Sequence, residues 1–395
     1  MITFEEAQSR IGACFAPLGS ETISLERAVD RVLFEDIIAR RTVPPANVSA
    51  MDGYALRFSE VSQGEMLKVV GESAAGHPFT GELKKGQALR IFTGAILPQG
   101  ADTVLIQENA QVNNNSVTIK IAPKNKGEFV RAKGLDFVQG HKVLSKNLRL
   151  NAQHIFLLAA LNYPWLKVYR KPKVALLCTG SELVHPGEPV EEGQIISANG
   201  MGLKALLERA GAEVCYLGIA QDNPQALQQA LLKTKAADLI LTSGGASVGT
   251  HDLIAQHLDK LKLDFWKIKM RPGKPLVFGN YQGIPFLGLP GNPVSAMVCA
   301  KLFCTPVIRI MQGEQIKVNL ESFGLSHAPL AHDLSANGTR KQFMRAILNK
   351  DGFISILSNQ DSSLLVSLSM SNCLAIRDIN AKPCKAGDFL SYIPL

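Results

Sequence analysis

The stretch from residue 172 to 310 constrains the fold most, because strand-length apolar runs alternate there with helix-length amphipathic runs. "KVALLCTG" reads as a short apolar strand ending in a turn. "GMGLKALLERAG" reads as an amphipathic helix with a glycine stop, and "EVCYLGIA" as a strand. "NPQALQQALLKTK" reads as a helix with proline near its start. "ADLILTSGG" (strand), "HDLIAQHLDKLK" (helix) and "DFWKIKM" (strand) follow. Such alternation predicts βαβ units and a mostly parallel sheet covered by helices on both faces. In sheets of this kind the ligand lies beyond the carboxyl ends of the strands.

The strand-to-loop junctions are therefore the place to look for chemistry. They read "CTGSELV" (178–184), "QIISANG" (194–200), "TSGGASVGTHD" (242–252), "MRPGKP" (270–275) and "LGLPGNPVSA" (287–296). Each is rich in Gly, Pro, Ser and Asn. Glycine lets backbone amides approach a ligand closely, and consecutive amides beside a helix start make an anion nest. Asp252 either caps the helix that follows or holds a metal. A single loop of this type is ordinary βα punctuation; several on one sheet edge imply a binding rim. Two familiar phosphate motifs are missing. "GASVGTHD" has no P-loop lysine, and "TGSEL" lacks the glycines of a dinucleotide fingerprint.

The flanks obey different rules. Residues 1–40 read as helical until Pro44 and Pro45 break the pattern. From about 55 to 145, short runs such as "MLKVVGES", "QALRIFTGA", "DTVLIQEN" and "SVTIKIAP" alternate with turn residues, which predicts a small all-β module. A helix over "NAQHIFLLAALN" and a basic hinge "YRKPK" lead into the centre. The tail returns to β-like runs, "QFMRAIL", "GFISIL" and "CLAIRD", read as a small barrel or sandwich.

Composition narrows the partners. The 395 residues suggest two to three domains, and 46% hydrophobic content supplies a sizeable core. The net charge of +8 points to anionic partners, but no basic run with interleaved aromatics exists, which favours small anions over nucleic acid. The seven cysteines form no CxxC pair and read as reduced core residues of a cytoplasmic protein rather than disulfides or a zinc site. "MITFEEAQSR" is not a signal peptide, and no stretch reads as a membrane span.

Six motifs occur in order: "NVSAMDGYA", "RIFTGAILPQGADTVLIQEN", "TGSEL", "SGGASVGTHD", "MRPGKP" and "GLPGNPVS". Together they resemble the molybdopterin molybdenumtransferase family, the MoeA proteins and the related C-terminal domain of gephyrin, from about residue 5 to the C-terminus. The resemblance implies a multidomain α/β fold. Its parts are a helical and linking region over 1–45 and 146–171, a β-rich inserted domain over 46–145, a central α/β molybdopterin-binding domain over 172–310 and a C-terminal β-barrel over 311–395. It implies a homodimer that takes adenylylated molybdopterin and molybdate, cleaves the adenylate with Mg²⁺, and releases molybdenum cofactor and AMP. Transient contact with a molybdopterin adenylyltransferase belongs to the same picture.

Roles carry over residue by residue. Asp52, Thr93, Asp136 and Lys274 take the catalytic positions. Glu182, Asp222 and Asp252 match acids that hold the metal, since hard cations prefer oxygen ligands. The substrate-binding set is Thr179, Glu182, Asn199, Ser243, Gly244, Gly245, Ser247, Gly249, Arg271, Pro272, Gly273, Pro275, Pro290, Asn292 and Ser295, with Arg345 and Ser362 from the tail. His251, His257 and His332 are left out. Two departures stand out: Ser181 replaces the acid of "GDEL", and Leu135 the glutamate of "GED". They motivate an alternative, a catalytically weakened molybdopterin-binding or scaffold protein of the same fold. A nucleotide hydrolase like the competence-damage-related proteins would share the α/β domain, but the N-terminal β module and the tail argue against it.

Overall fold

A computed structural model describes residues 1–244 and 261–395. The chain divides into two units. Unit 1 comprises Met1–Phe34, Asn147–Ala152 and Trp165–Leu395, and unit 2 comprises Glu35–Lys146 and Gln153–Pro164.

Unit 1 is built around a six-stranded sheet. Its spatial order is Glu213–Ala220, Lys173–Thr179, Leu239–Ser243, Ile284–Leu289, Pro275–Tyr281, Leu261–Lys267. The first four strands pair in parallel, as the alternating pattern predicts. The last two are antiparallel additions. The hairpin that joins Pro275–Tyr281 to Ile284–Leu289 turns on Gln282 and Gly283, with φ of +52° and +93°. Positive φ at both turn residues matches the twist of flanking strands. A two-residue "QG" between apolar runs is a signal for this hairpin that the strand–helix pattern alone passes over.

The parallel strands are hydrophobic throughout because both of their faces are covered. Leu176, Leu241 and Leu287 pack in one cluster, and Leu177, Ile240 and Phe286 in another. The helix Asn199–Arg209 buries Gly200, Leu203 and Leu207 at helical spacing. A Cβ on Gly200 would lie 2.6 Å from the Tyr216 ring, so glycine lets this helix approach the sheet. The helix Pro224–Leu231 starts with Pro224 in its first turn, and Asn223 accepts a 2.8 Å hydrogen bond from the Ala226 amide.

Three details differ from the sequence pattern. The 1–40 segment is α-helical only over Phe4–Ala13, with one 3-10 turn at Leu25–Arg27; Ser20–Ser24 is a strand paired with Trp165–Tyr169. The strand expected at "DFWKIKM" begins at Leu261, so the end of the "HDLIAQHLDKLK" helix is strand instead; the rest of that segment lies outside the described residues. The helical stretch Pro293–Met311, 19 residues, passes for a membrane span by length and apolar composition alone. It is 78% buried and supplies the core residues Val298, Leu302, Phe303 and Ile308. Inside it the Thr305 amide reaches back five residues to Ala300, and the Thr305 hydroxyl donates to Lys301 O at 2.7 Å. Pro306 has no N–H to continue the regular ladder.

In the tail, Ser326–Pro329, Phe389–Pro394, Cys373–Arg377, Lys341–Leu348 and Ile354–Ile356 pair in that order. A bridge between Leu330 and Ile354 closes the ring.

Unit 2 holds a six-stranded sheet in the order Thr103–Ile106, Gly53–Leu56, Gln87–Ile91, Met66–Ser73, Ser116–Ile119, Ala110–Asn113. Alternation sends Tyr54, Leu56 and Leu105 into one core and Ala55, Leu89 and Val104 into the other.

Candidate functional site

The carboxyl ends of the parallel strands open onto one cleft of about 530 Å³ in unit 1. From Lys173–Thr179 the chain passes first to the strand on one side and then to the strand on the other. The cleft therefore sits at a topological switch point, where crevices form because successive connections diverge. Thr179, Glu182, Asn199, Asp222, Ser243, Gly244, Pro275, Pro290 and Asn292 all line it. They were identified on separate loops, and the sheet brings them together.

Internal hydrogen bonds fix the rim. Asn199 Nδ2 donates to Ser243 Oγ at 2.8 Å and to the Gly291 carbonyl at 2.7 Å. One amide thus ties three strand-end loops. Gly244 has φ +98°, and a Cβ there would lie 2.2 Å from the Thr179 carbonyl. Only glycine lets these two strand ends come so close. The Thr179 hydroxyl is buried without a partner among the described residues, and the buried Ser197 hydroxyl lies against Cys178 and Tyr216. Beneath them Cys178 is fully buried, and burial pushes its thiol pKa up. Burial also raises the neighbouring Tyr216 phenol, helped by Cys178.

The charge of the wall is one-sided. Glu182 and Asp222 are its only charged residues among those described, and both are exposed. The Glu182 carboxylate folds over Gly180, and the Asp222 amide donates to Ser181 Oγ at 3.1 Å. Asp252, Gly245, Ser247 and Gly249 lie outside the described residues. Among the described residues no cluster of three metal-ligating side chains forms.

Unit 2 carries its own constellation. Gly53 pairs with Ile91, which sets Asp52 beside the turn after Ile91. Asp52 Oδ1 accepts from the Thr93 amide at 2.7 Å and from the Thr93 hydroxyl at 2.8 Å. These bonds, amide first, hold the Asp52 carboxyl below its ordinary pKa, with help from Arg90. A Cβ on Gly53 would lie 2.0 Å from the Leu105 carbonyl, so "MDGY" needs its glycine where the strands pack. Asp136 is exposed, and its amide donates to the Val43 carbonyl at 3.1 Å.

Three family models match in order: the MoeA N-terminal region (domain I and II) over residues 2–162, a probable molybdopterin binding domain over 175–310, and the MoeA C-terminal region (domain IV) over 327–395. The chain is 36% identical to a molybdopterin molybdenumtransferase of Haemophilus influenzae, covering 100% of this chain and 98% of that one. It is 39% identical to one from a Nostoc species, covering 90% and 84%. The chain belongs to the MoeA family. The fold agrees: a molybdopterin biosynthesis MoeA protein from Pyrococcus horikoshii superposes with a TM-score of 0.86 at 29% identity, covering 100% and 99% of the two chains.

The remaining MoeA positions fall around the cleft rather than on it. Lys274 is half-buried beside the lining residue Pro275, and Arg271 is exposed. Gly273 has φ +93°, and a Cβ there would lie 2.3 Å from Cys299 Sγ; with the cis-bonded Pro272 it shapes the "RPGKP" turn. Ser295 is buried in the first turns of the Pro293–Cys299 helix. Asn292 Nδ2 donates to Ser362 Oγ at 2.8 Å, and Ser363, its neighbour, lines the cleft.

Arg345 was expected at an oxyanion. In this fold it is 1% exposed and its guanidinium donates to the carbonyls of Leu364, Asn359 and Asp361 at 2.8, 3.1 and 2.8 Å. It holds the 359–364 loop, and through that loop it positions Ser362 and Ser363. Ser181, Ser197, Gly291 and Ser363 were not singled out as site residues. Their signal was proximity in sequence to the strand-end motifs.

Proposed function

We propose that this chain is a molybdenum insertase. It binds adenylylated molybdopterin in the strand-end cleft, hydrolyses the adenylate with Mg²⁺, and joins molybdenum from molybdate to the dithiolene, releasing the cofactor and AMP. Water adds at the phosphoanhydride, the bond between the two phosphates breaks, and AMP leaves. The observation that carries this reading is the charge of the cleft: among the described residues its wall has two carboxylates and no cation, and such a wall repels an anionic substrate unless a cation stands between them.

The donor chemistry fits Mg²⁺, because carboxylate oxygens suit a hard cation that keeps part of its water shell. Glu182 and Asp222 would hold it, with Asp252 as the third acid; bound there, it would offset phosphate charge and polarise the bond that breaks. The chain's own groups do the positioning. Thr179 offers a buried hydroxyl without a partner among the described residues, and Asn199 keeps the Ser243 and Gly291 loops in register. Asp52, kept ionised by Thr93, would orient or deprotonate the attacking water, and Asp136 and Lys274 complete the catalytic set. The working form would be a cytoplasmic homodimer that receives its substrate by transient contact with an adenylyltransferase.

The test is AMP release from adenylylated molybdopterin with Mg²⁺, with and without molybdate. Turnover that needs Mg²⁺ and rises with molybdate supports the reading. Protein that binds this substrate yet never turns it over with both supplied overturns it. That outcome would favour the weakened binding protein, for which Ser181 is the specific observation: its hydroxyl accepts the Asp222 amide where the family resemblance implies an acid.

A further inference from the structure

Unit 2 contains a second cavity, of about 730 Å³, whose lining carries charge of the opposite sign. Four segments form its walls, around 41–48, 74–78, 94–96 and 133–139, and hydrogen bonds clamp three of them together. Val43 and Phe137 exchange amide bonds, the Gly134 amide donates to Pro44 O at 3.0 Å, and the Lys133 amide donates to Asn47 Oδ1 at 3.0 Å. Val48 bridges Ile96, and the Gly94 amide donates to Ser49 O at 2.8 Å. The cavity is thus part of the folded architecture of unit 2.

Its chemistry is simple. Arg41 and Lys133 line it, and no acidic residue does among the described residues. Both side chains are exposed, and neither has an ion-pair or hydrogen-bonding side-chain partner among the described residues. Val43, Pro44, Val48 and Ile96 supply flat apolar walls. Two unspent cations beside an apolar surface match a ligand with a dianionic end and a planar body. A phosphate monoester carries about 1.5 to 2 negative charges at neutral pH, which two cations balance. The volume lies within the roughly 300–1,000 Å³ typical of small-molecule sites, far more than a bare oxyanion fills.

We propose that this cavity binds a nucleoside monophosphate, with the phosphate held by Arg41 and Lys133 and the ring laid against Val43, Pro44, Val48 and Ile96. Gly94 lines the cavity immediately after Thr93, the partner of Asp52, so the cavity reaches the turn of unit 2 that carries that pair.

The experiment is photolabelling of the full chain with 8-azido-AMP, followed by peptide mapping, with AMP, adenosine and inorganic phosphate as competitors. The proposal expects label on peptides spanning 41–48 or 94–96. AMP should displace it at concentrations about tenfold or more below those needed for adenosine or phosphate alone, because only AMP uses both halves of the site. Arg41→Gln/Lys133→Gln should weaken that labelling about tenfold or more, because charge-assisted contacts are lost. Label confined to peptides around Thr179, Asn199 or Pro290 would overturn the proposal. So would cavity label that the double variant leaves unchanged, or phosphate competing as well as AMP, which would mean a plain oxyanion pocket. AMP release measured on the same preparation reads the reaction proposed above separately.

Discussion

The cleft of unit 1 and the cavity of unit 2 solve the same problem from opposite sides. The cleft has two carboxylates and no cation on its described wall, and its neutral polar groups are largely tied to one another. The cavity has two cations and no carboxylate. On the reading proposed above, an anionic ligand would be met by a metal in the first and by side-chain cations in the second. The difference teaches that the +8 net charge of the chain says little about any one site. Burial and local charge decide what a surface attracts, and the overall balance sets only a background.

The comparison can be broken or sharpened by experiment. The largest effect is expected from Asp52→Ala, which should lower AMP release by about 10²-fold or more if the carboxylate acts on a proton in the reaction. Complementation of a cell lacking its own insertase, scored by a molybdenum-dependent reductase, checks this: wild type rescues and the variant does not. Next comes Gly244→Val. A branched side chain at φ +98°, aimed at the Thr179 carbonyl, should cost about 2–4 kcal/mol of stability, read from a denaturant midpoint, and should empty the cleft of substrate. Arg345→Ala removes three hydrogen bonds to half-buried loop carbonyls and should cost about 1–3 kcal/mol, while Arg345→Lys recovers only part, since an ammonium cannot span the same fork.

Glu182→Gln with Asp222→Asn neutralises the cleft wall. The Mg²⁺ concentration for half-maximal turnover should rise about tenfold. Azido-AMP labelling of the unit 2 cavity should not move. If both sites respond, the opposition between them fails.

The smallest effect is a shift in pH profile. The Asp52 carboxyl is held below its ordinary pKa by Thr93, so its ionised form is favoured in the folded chain. The stabilisation this gives is present above the ordinary carboxylate pKa and is lost as pH falls through the lowered value. Thr93→Val removes the hydroxyl bond and keeps the amide bond, so the acid limb of the AMP-release profile should move to higher pH. An unmoved limb would show that Asp52 does not titrate in the rate.

Much of this arrangement was legible in residue order. The parallel core strands follow from apolar runs such as "KVALLC" and "LILTS", because a strand buried on both faces has no polar face to show. The strand-end loops announced themselves by Gly, Pro and Asn. The antiparallel hairpin at Gln282–Gly283 was harder to see, since short apolar runs look alike whether their neighbours are parallel or antiparallel. The Ser20–Ser24 strand was hidden for another reason: its partner, Trp165–Tyr169, lies more than a hundred residues away.

The sequence by itself determined the βαβ core, the family and the loops that carry the chemistry, because periodicity and ordered motifs are local properties of the chain. Only the tertiary structure decided that Asn199 joins the Ser243 and Gly291 loops, and that Arg345 serves the 359–364 loop. It alone showed that Arg41 and Lys133 share a cavity without a carboxylate. Those are pairings between residues up to about a hundred positions apart. Hydrogen bonds and Coulomb forces act over a few ångströms, so their partners are chosen by the packing of the fold and not by distance along the chain.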